Sequence, residues 1–288
     1  MPTSPPWERI LTHVIPGESV ATLQFDELTI AYEMEGSGVP LVFLHQVATD
    51  RRLWHHQYAY FQSQYRPILV DLLSHGESAW PPQALSIERA AQGLQQLLGW
   101  LGVGPAFLVG VSMGAAVAMR VALQAPTLVR GLGLISPWEY IGGDMQSLVN
   151  RLFRLADAGD MAGHVELFLR YILPIEFAAR HPTEAEQVRT MIAGQQAAAV
   201  AYTWLACLAT DLRYQLGRIG APSLIIAGLN DLFTPPYLAR GVAERLSEVE
   251  LEIWEDTGHF PFLEAPQRFN RRLEVFIQRC LTRSESGS

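Results

Sequence analysis

Five short apolar runs constrain this chain more than any other feature of its sequence. They cover residues 40–45 (PLVFLH), 67–71 (PILVD), 106–110 (AFLVG), 129–136 (VRGLGLIS) and 223–228 (SLIIAG). Each has the length of one strand, and none alternates polar with apolar. A strand with one wet face alternates, whereas a run with no period of two must be covered on both faces. Between the runs lie stretches with helical periodicity, at about 53–64, 86–101, 113–124, 235–246 and 265–281. Ser86 stands as an N-cap before the second, and Pro126 ends the third. Residues 20–25 and 28–34 alternate around Asp26-Glu27 and predict a hairpin, and residues 250–254 predict a last strand. Strands alternating with helices predict an α/β fold: a mostly parallel, eight-stranded sheet with helices on both faces.

The pattern changes after Pro137. From about 142 to 216 no apolar run occurs. The segment reads as amphipathic helices rich in Ala, Leu and Met, with breaks near Gly159, Pro174 and Pro182. The expected organisation is a core built from 1–141 and 217–288, with 142–216 inserted as a helical cap. Insertions of this kind carry function, and a lid excludes water from the chemistry beneath it.

Composition excludes several classes of activity. All 21 basic residues are arginine. Without lysine there is no Walker A phosphate loop, no kinase ATP lysine, and no amine for Schiff-base chemistry. The net charge is −8, and arginines adjoin only at Arg51-Arg52 and Arg271-Arg272. Nucleic acid binding, which needs dense positive charge, is not expected. Two isolated cysteines, Cys207 and Cys280, make neither a disulfide framework nor a metal site. His55 and His56 are adjacent on a helix and point apart, so they predict no metal pair. The first 18 residues lack an apolar leader core, and no stretch is long enough to span a bilayer. The expectation is a cytoplasmic protein acting on a small molecule, without membrane or nucleic acid. Nothing in the sequence gives the oligomeric state.

Gly110-Val111-Ser112-Met113-Gly114 is a G-x-S-x-G motif between an apolar run and a helix, which is the context that motif requires. A sharp strand-to-helix turn exposes the Ser112 hydroxyl, and the helix N-terminus supplies unpaired N–H groups where an oxyanion would form. Further matches are Leu41 to His45 with Asp50, Asp71 with Ser74-His75-Gly76-Glu77-Ser78, Gly228 to Pro236, and Gly258-His259 with Leu263-Glu264-Ala265-Pro266. With these, residues from about 23 to 277 resemble the α/β-hydrolase superfamily. The pattern is similar to its capped esterase, lactonase and C–C hydrolase members, and by eye nearest to 3-oxoadipate enol-lactonases.

The resemblance implies a serine nucleophile followed in the chain by an acid and then a histidine. Three histidines follow Ser112. His164 and His181 lie in the helical block, which leaves His259 as the base. Asp231, after the fifth run, is the expected acid. Glu139 is the alternative, and Asp256, three residues from His259, reads as a turn residue. The resemblance also makes the backbone N–H groups of Val47 and Met113 the oxyanion donors. One departure stands out: the group usually reads His-Gly after the first parallel strand, and here it is His45-Gln46. Gln46 either points aside or turns its amide, two donors and one acceptor, onto substrate. His45 and His75 are expected to be structural. Trp138 and Phe260, beside the site-bearing loops, are candidate substrate-binding residues.

The function so implied is cleavage of a carboxylic ester or lactone through a Ser-His-Asp acyl-enzyme, without a metal or organic cofactor. Alternatives are a C–C hydrolase of diketones, a cofactor-free perhydrolase or thioesterase, and a binder that has lost catalysis. An anionic substrate group would have to meet arginine, a dipole or water. Only Arg51 and Arg52 lie near a catalytic segment in sequence, so the expected substrate is small, neutral and mainly apolar.

Overall fold

In the computed structural model, residues 20–25, 28–79 and 85–286 are described. Their eight strands are β1 (Ala21–Phe25), β2 (Leu28–Met34), β3 (Pro40–Leu44), β4 (Arg66–Val70), β5 (Ala106–Val111), β6 (Val129–Ile135), β7 (Ser223–Gly228) and β8 (Val249–Trp254). They form one sheet in the order β1-β2-β4-β3-β5-β6-β7-β8. The β1–β2 and β2–β4 pairs are antiparallel and the other five are parallel. Each apolar run has become a strand. β5 and β7 are buried along their whole length, as runs without alternation require. The Asp26-Glu27 turn and the N-terminal segment lie outside the described residues.

A 3₁₀ turn, Arg51–Trp54, leads into α1 (His55–Phe61). One longer helix was expected here. The 3₁₀ start arises because the Asp50 side chain accepts the Arg52 N–H at 3.1 Å, two residues on. Helix α2 (Ile87–Leu101) begins as expected, with the Ser86 hydroxyl accepting the Arg89 N–H at 3.1 Å. Such a cap contributes about 1 kcal/mol. Helix α3 (Met113–Gln124) is buried from Met113 to Ala122, and an apolar surface all round suits a helix held against the sheet. Arg120, within it, pairs with Glu88 at 2.8 Å and donates to Gln215 at 2.9 Å.

Five helices lie between β6 and β7: α4 (Gly143–Asp157), α5 (Met161–Ile172), α6 (Ile175–Arg180), α7 (Pro182–Ala193) and α8 (Ala197–Leu208). Their breaks fall where the sequence places them. Gly159 takes φ +76, Pro174 precedes α6, and Pro182 opens α7. Helix α4 packs along α8. The core then closes with α9 (Pro236–Arg245), α10 (Pro261–Glu264) and α11 (Pro266–Ser286). A single last helix from residue 265 was expected. Pro266 drives Ala265 to φ −138, ψ 60, which splits off the short α10. Among the described residues no helix is long and apolar enough to cross a membrane.

Candidate active site

Ser112 occupies the turn between β5 and α3 at φ +52, ψ −111, a conformation that side chains avoid. The motif glycines make this turn possible. A Cβ on Gly110 would overlap the Gly114 backbone, and one on Gly114 would overlap the carbonyl oxygens of Leu44 and His45. The elbow is therefore pressed against the end of β3. Met113 is the first residue of α3, so its N–H has no intrahelical acceptor and lies at the positive end of the helix dipole. The Ser112 N–H donates to Ile135 at the end of β6. The next residue, Ser136, donates through its hydroxyl to the His259 carbonyl at 3.0 Å. That link seats the histidine loop beside the elbow.

His259 Nδ1 and Asp231 Oδ2 stand 2.8 Å apart, and both side chains are fully buried. Asp231 is held in its own turn. Its Oδ1 accepts the N–H groups of Phe233 and Thr234, each at 2.9 Å, and its Oδ2 accepts the Thr234 hydroxyl at 2.7 Å. The alternative acid, Glu139, pairs with Arg245 at 3.2 Å, and Asp256, read as a turn residue, pairs with Arg268 at 2.9 Å. The Asp231 and His259 loops cross where a Cβ on Gly228 would overlap the carbonyl oxygens of Thr257 and Gly258. Glu264 braces the base loop on either side of the histidine. Its Oε2 accepts the Gly258 N–H at 2.8 Å and its Oε1 accepts the Phe260 N–H at 3.0 Å. Burial pushes the Glu264 carboxyl up to about 7, against the opposing effect of those two N–H groups. Thr234 and Glu264 had no assigned role in the sequence. A D-x-x-T spacing after the acid was the available signal for the first; the second lay within a family match without a stated purpose.

The segment after β3 is pinned by histidines. His45 Nδ1 donates to the Gln46 carbonyl at 2.7 Å, and its Nε2 accepts the Leu72 N–H at 2.9 Å. His75 Nε2 accepts the N–H of Ala48, a residue at φ +60, at 3.0 Å. Burial holds both rings toward the neutral form, His75 down to about 3. The Val47 N–H lies in this pinned segment. Gln46 has an ordinary backbone, yet it does not point aside. Its Oε1 stands 2.9 Å from His259 Nε2, while its own Nε2 is buried without a partner. Among the described residues no hydrogen bond joins Ser112 Oγ to His259.

A family model described as the alpha/beta hydrolase fold matches residues 39–266. The chain belongs to that family. This α/β-hydrolase is 27% identical to 3-oxoadipate enol-lactonase 2 of Acinetobacter baylyi, across 90% of this chain and 96% of the relative. It is 29% identical to a pimeloyl (acyl-carrier protein) methyl ester esterase of Nitrosomonas europaea, across 84% and 96%. A solved hydrolase from Pseudomonas aeruginosa matches with a TM-score of 0.84 at 26% identity, covering 91% of this chain and 99% of that one.

Aromatic rings tie the helical block of this α/β-hydrolase to its histidine. Phe233 meets the His259 ring edge-on at 5.5 Å, and packs against Phe168 of α5 at 5.1 Å and Trp204 of α8 at 5.8 Å. Trp138 and Phe260 are both buried, and the Phe260 ring lies 5.1 Å from His259. The block also latches to the core through Gln195, which accepts the Gly76 N–H at 3.1 Å and donates to Asp50 at 3.3 Å. A cavity of about 380 Å³ opens there, lined in part by Asp50, Arg52, Ser74, Glu77 and Gln196. Its arginines are committed. Arg51 pairs with Glu33 and Glu77, each at 2.7 Å, and with Asp71, while Arg52 grips Asp50 at 2.7 Å. Among the described residues no cluster of three or more His, Cys, Asp or Glu side chains is placed to hold a metal ion.

Proposed function

We propose that this protein hydrolyses a small, neutral, mainly apolar carboxylic ester or lactone through an acyl-enzyme on Ser112. The observation that carries the reading is the strained Ser112 at the start of α3, linked through Ile135 and Ser136 to the loop of the buried Asp231–His259 pair. In the first step Ser112 Oγ attacks the acyl carbon and its proton passes to His259 Nε2. Asp231 holds Nδ1–H and stabilises the imidazolium that forms. The N–H groups of Val47 and Met113 take the oxyanion, and each such donor is worth on the order of 10²–10³ in rate. When the C–O bond breaks, His259 returns the proton to the leaving oxygen. Water then attacks the acyl carbon, giving its proton to His259; collapse releases the acid and restores the Ser112 hydroxyl.

The arginines support a neutral substrate. Arg51 and Arg52 already face carboxylates of their own chain, so neither is free to receive an anion. The helices between β6 and β7 are proposed as the cap that shapes the acyl pocket, with Phe168 and Trp204 reaching Phe233 above the base. The test is active-site labelling with a fluorophosphonate, joined to turnover of short-chain nitrophenyl esters, uncharged lactones and their carboxylated counterparts. Ser112 should carry the label, Ser112→Ala should abolish both labelling and turnover, and uncharged substrates should be preferred. Wild-type turnover by Ser112→Ala would refute the nucleophile.

A further inference from the structure

The atom of His259 that must take the Ser112 proton already has another partner. Its Nε2 stands 2.9 Å from Gln46 Oε1, and its Nδ1 faces Asp231. A ring nitrogen has one in-plane bonding position, so Nε2 serves Gln46 or Ser112 but not both. The orientation of the amide does not change this. With Oε1 toward the ring, Nε2 must carry a proton, and a ring that also donates from Nδ1 is an imidazolium with no lone pair to offer. With the amide turned over, its NH₂ donates to Nε2 and occupies that lone pair.

Resting on Ser112 as the nucleophile, we propose that Gln46 is a gate, holding His259 off Ser112 while the site is empty and releasing it when substrate displaces the amide. Three features favour a gate over a fixed structural bond. The Gln46 backbone is anchored, its carbonyl accepting from His45 Nδ1 at 2.7 Å and from the Thr49 hydroxyl at 3.1 Å. Release therefore needs only side-chain rotation, with no movement of the anchored backbone. With Oε1 toward the ring, the amide is satisfied at one end alone, since its Nε2 is buried without a partner, so an incoming oxygen that accepts from it lowers the cost of leaving the ring. Finally, Gln46 adjoins Val47, whose N–H is the proposed oxyanion donor, so an acyl oxygen entering that hole arrives beside the amide. The gate thus selects substrates that bring a hydrogen-bond acceptor to the hole, and leaves the empty enzyme with an unactivated serine.

The test is the rate at which a fluorophosphonate labels Ser112 in the full chain, without substrate, in wild type, Gln46→Gly and Gln46→Met. The methionine keeps the volume and removes both amide atoms, so it carries the test if the glycine variant folds poorly. Both variants should label faster than wild type by about tenfold or more, because a serine with a free base gains on that scale or above. Damage to the fold would slow labelling, and since the glycine also opens space at the site, the volume-keeping methionine decides whether the gain comes from release of His259. Labelling at or below the wild-type rate in the folded variants, with Ser112 still modified, overturns the gate and leaves the nucleophile standing. Ser112 unmodified in all three proteins overturns the nucleophile, and the gate with it.

Discussion

The Thr234 hydroxyl donates to the same carboxylate oxygen of Asp231 that faces His259 Nδ1, and it stands 3.1 Å from that nitrogen. Asp231 Oδ2 therefore receives two donors at once, and the hydroxyl fixes the side from which the ring approaches. Thr234→Val keeps the shape and removes this donor. Its kcat should fall roughly tenfold to a hundredfold, the equivalent of one hydrogen bond to a charged group at about 1.5–3 kcal/mol, with KM little changed. Steady-state kinetics on the best ester checks this; an unchanged kcat would make the hydroxyl merely structural.

Replacing Asp231 by Asn tests the acid more severely. The amide preserves volume but no longer favours Nδ1–H, so the ring turns the wrong nitrogen toward the serine. In the serine-protease precedent for this change, kcat falls by on the order of 10⁴. A similar fall is expected here, with the melting temperature read alongside to show that the fold survives. A loss under tenfold would move the role of acid to another carboxylate.

Glu264 predicts a pH signature. Folded, it keeps its proton up to about 7, against 4.5 for an ordinary glutamate, because burial disfavours its charge. Between those values the folded protein holds a proton that the unfolded chain has lost. The group's contribution to stability is thus complete below 4.5 and disappears as pH rises through about 7. Glu264→Gln has no such titration. The melting temperature of wild type relative to the variant should fall by a few degrees from about pH 5 to about pH 8. A constant difference in thermal melts would show that the carboxyl is ordinary. Glutamine also offers one acceptor where the carboxylate serves both Gly258 and Phe260, so kcat should drop while KM changes little.

Phe233 joins the helical block to His259. It is 2% exposed and touches Phe168, Trp204 and His259. Phe233→Ala should cost about 3–5 kcal/mol in chemical denaturation, the usual range for an emptied phenylalanine site. Phe233→Leu should recover more than half of that. If the alanine variant lost under 1 kcal/mol, the ring would not be part of a packed cluster.

Arg51 should not tolerate the most conservative replacement. Its guanidinium faces Glu33, Asp71 and Glu77 at once, and Asp71 is wholly buried. A lysine ammonium is a single point without the fork that spans three carboxylates. Arg51→Lys should lose about 2 kcal/mol or more, because part of a buried charge cluster is left uncompensated. Denaturant unfolding measures it, and a neutral result would mean that the three acids rearrange around a point charge.

The strands were legible because burial on both faces leaves a mark on every residue of a run, as in residues 41–44 and 106–111. The placement of Ser112 and Asp231 was legible because each lies just past such a run, whereas His259 follows β8, a half-buried strand read from its alternation. What escaped is decided by rotamers and turns. Nothing near Gln46 in the chain says that its amide meets a ring 213 positions on. Glu264 could not be read as the brace of its own loop until the α10 turn folded it back. The pairing of Phe233 with Phe168 and Trp204 depends on how five short helices stack, which their periodicity does not record.

The crossing at Gly228 and Gly258 has a mechanical consequence. The two backbones touch there and are hydrogen-bonded, Asn230 N–H to the Thr257 carbonyl at 3.0 Å, so the Asp231 and His259 loops form one jaw fixed to the edge of the sheet. Any accommodation of substrate must then come from the opposite jaw, the segment after β3, and from the helices above it. A residue larger than glycine at position 228 would push these two loops apart and draw Asp231 away from His259.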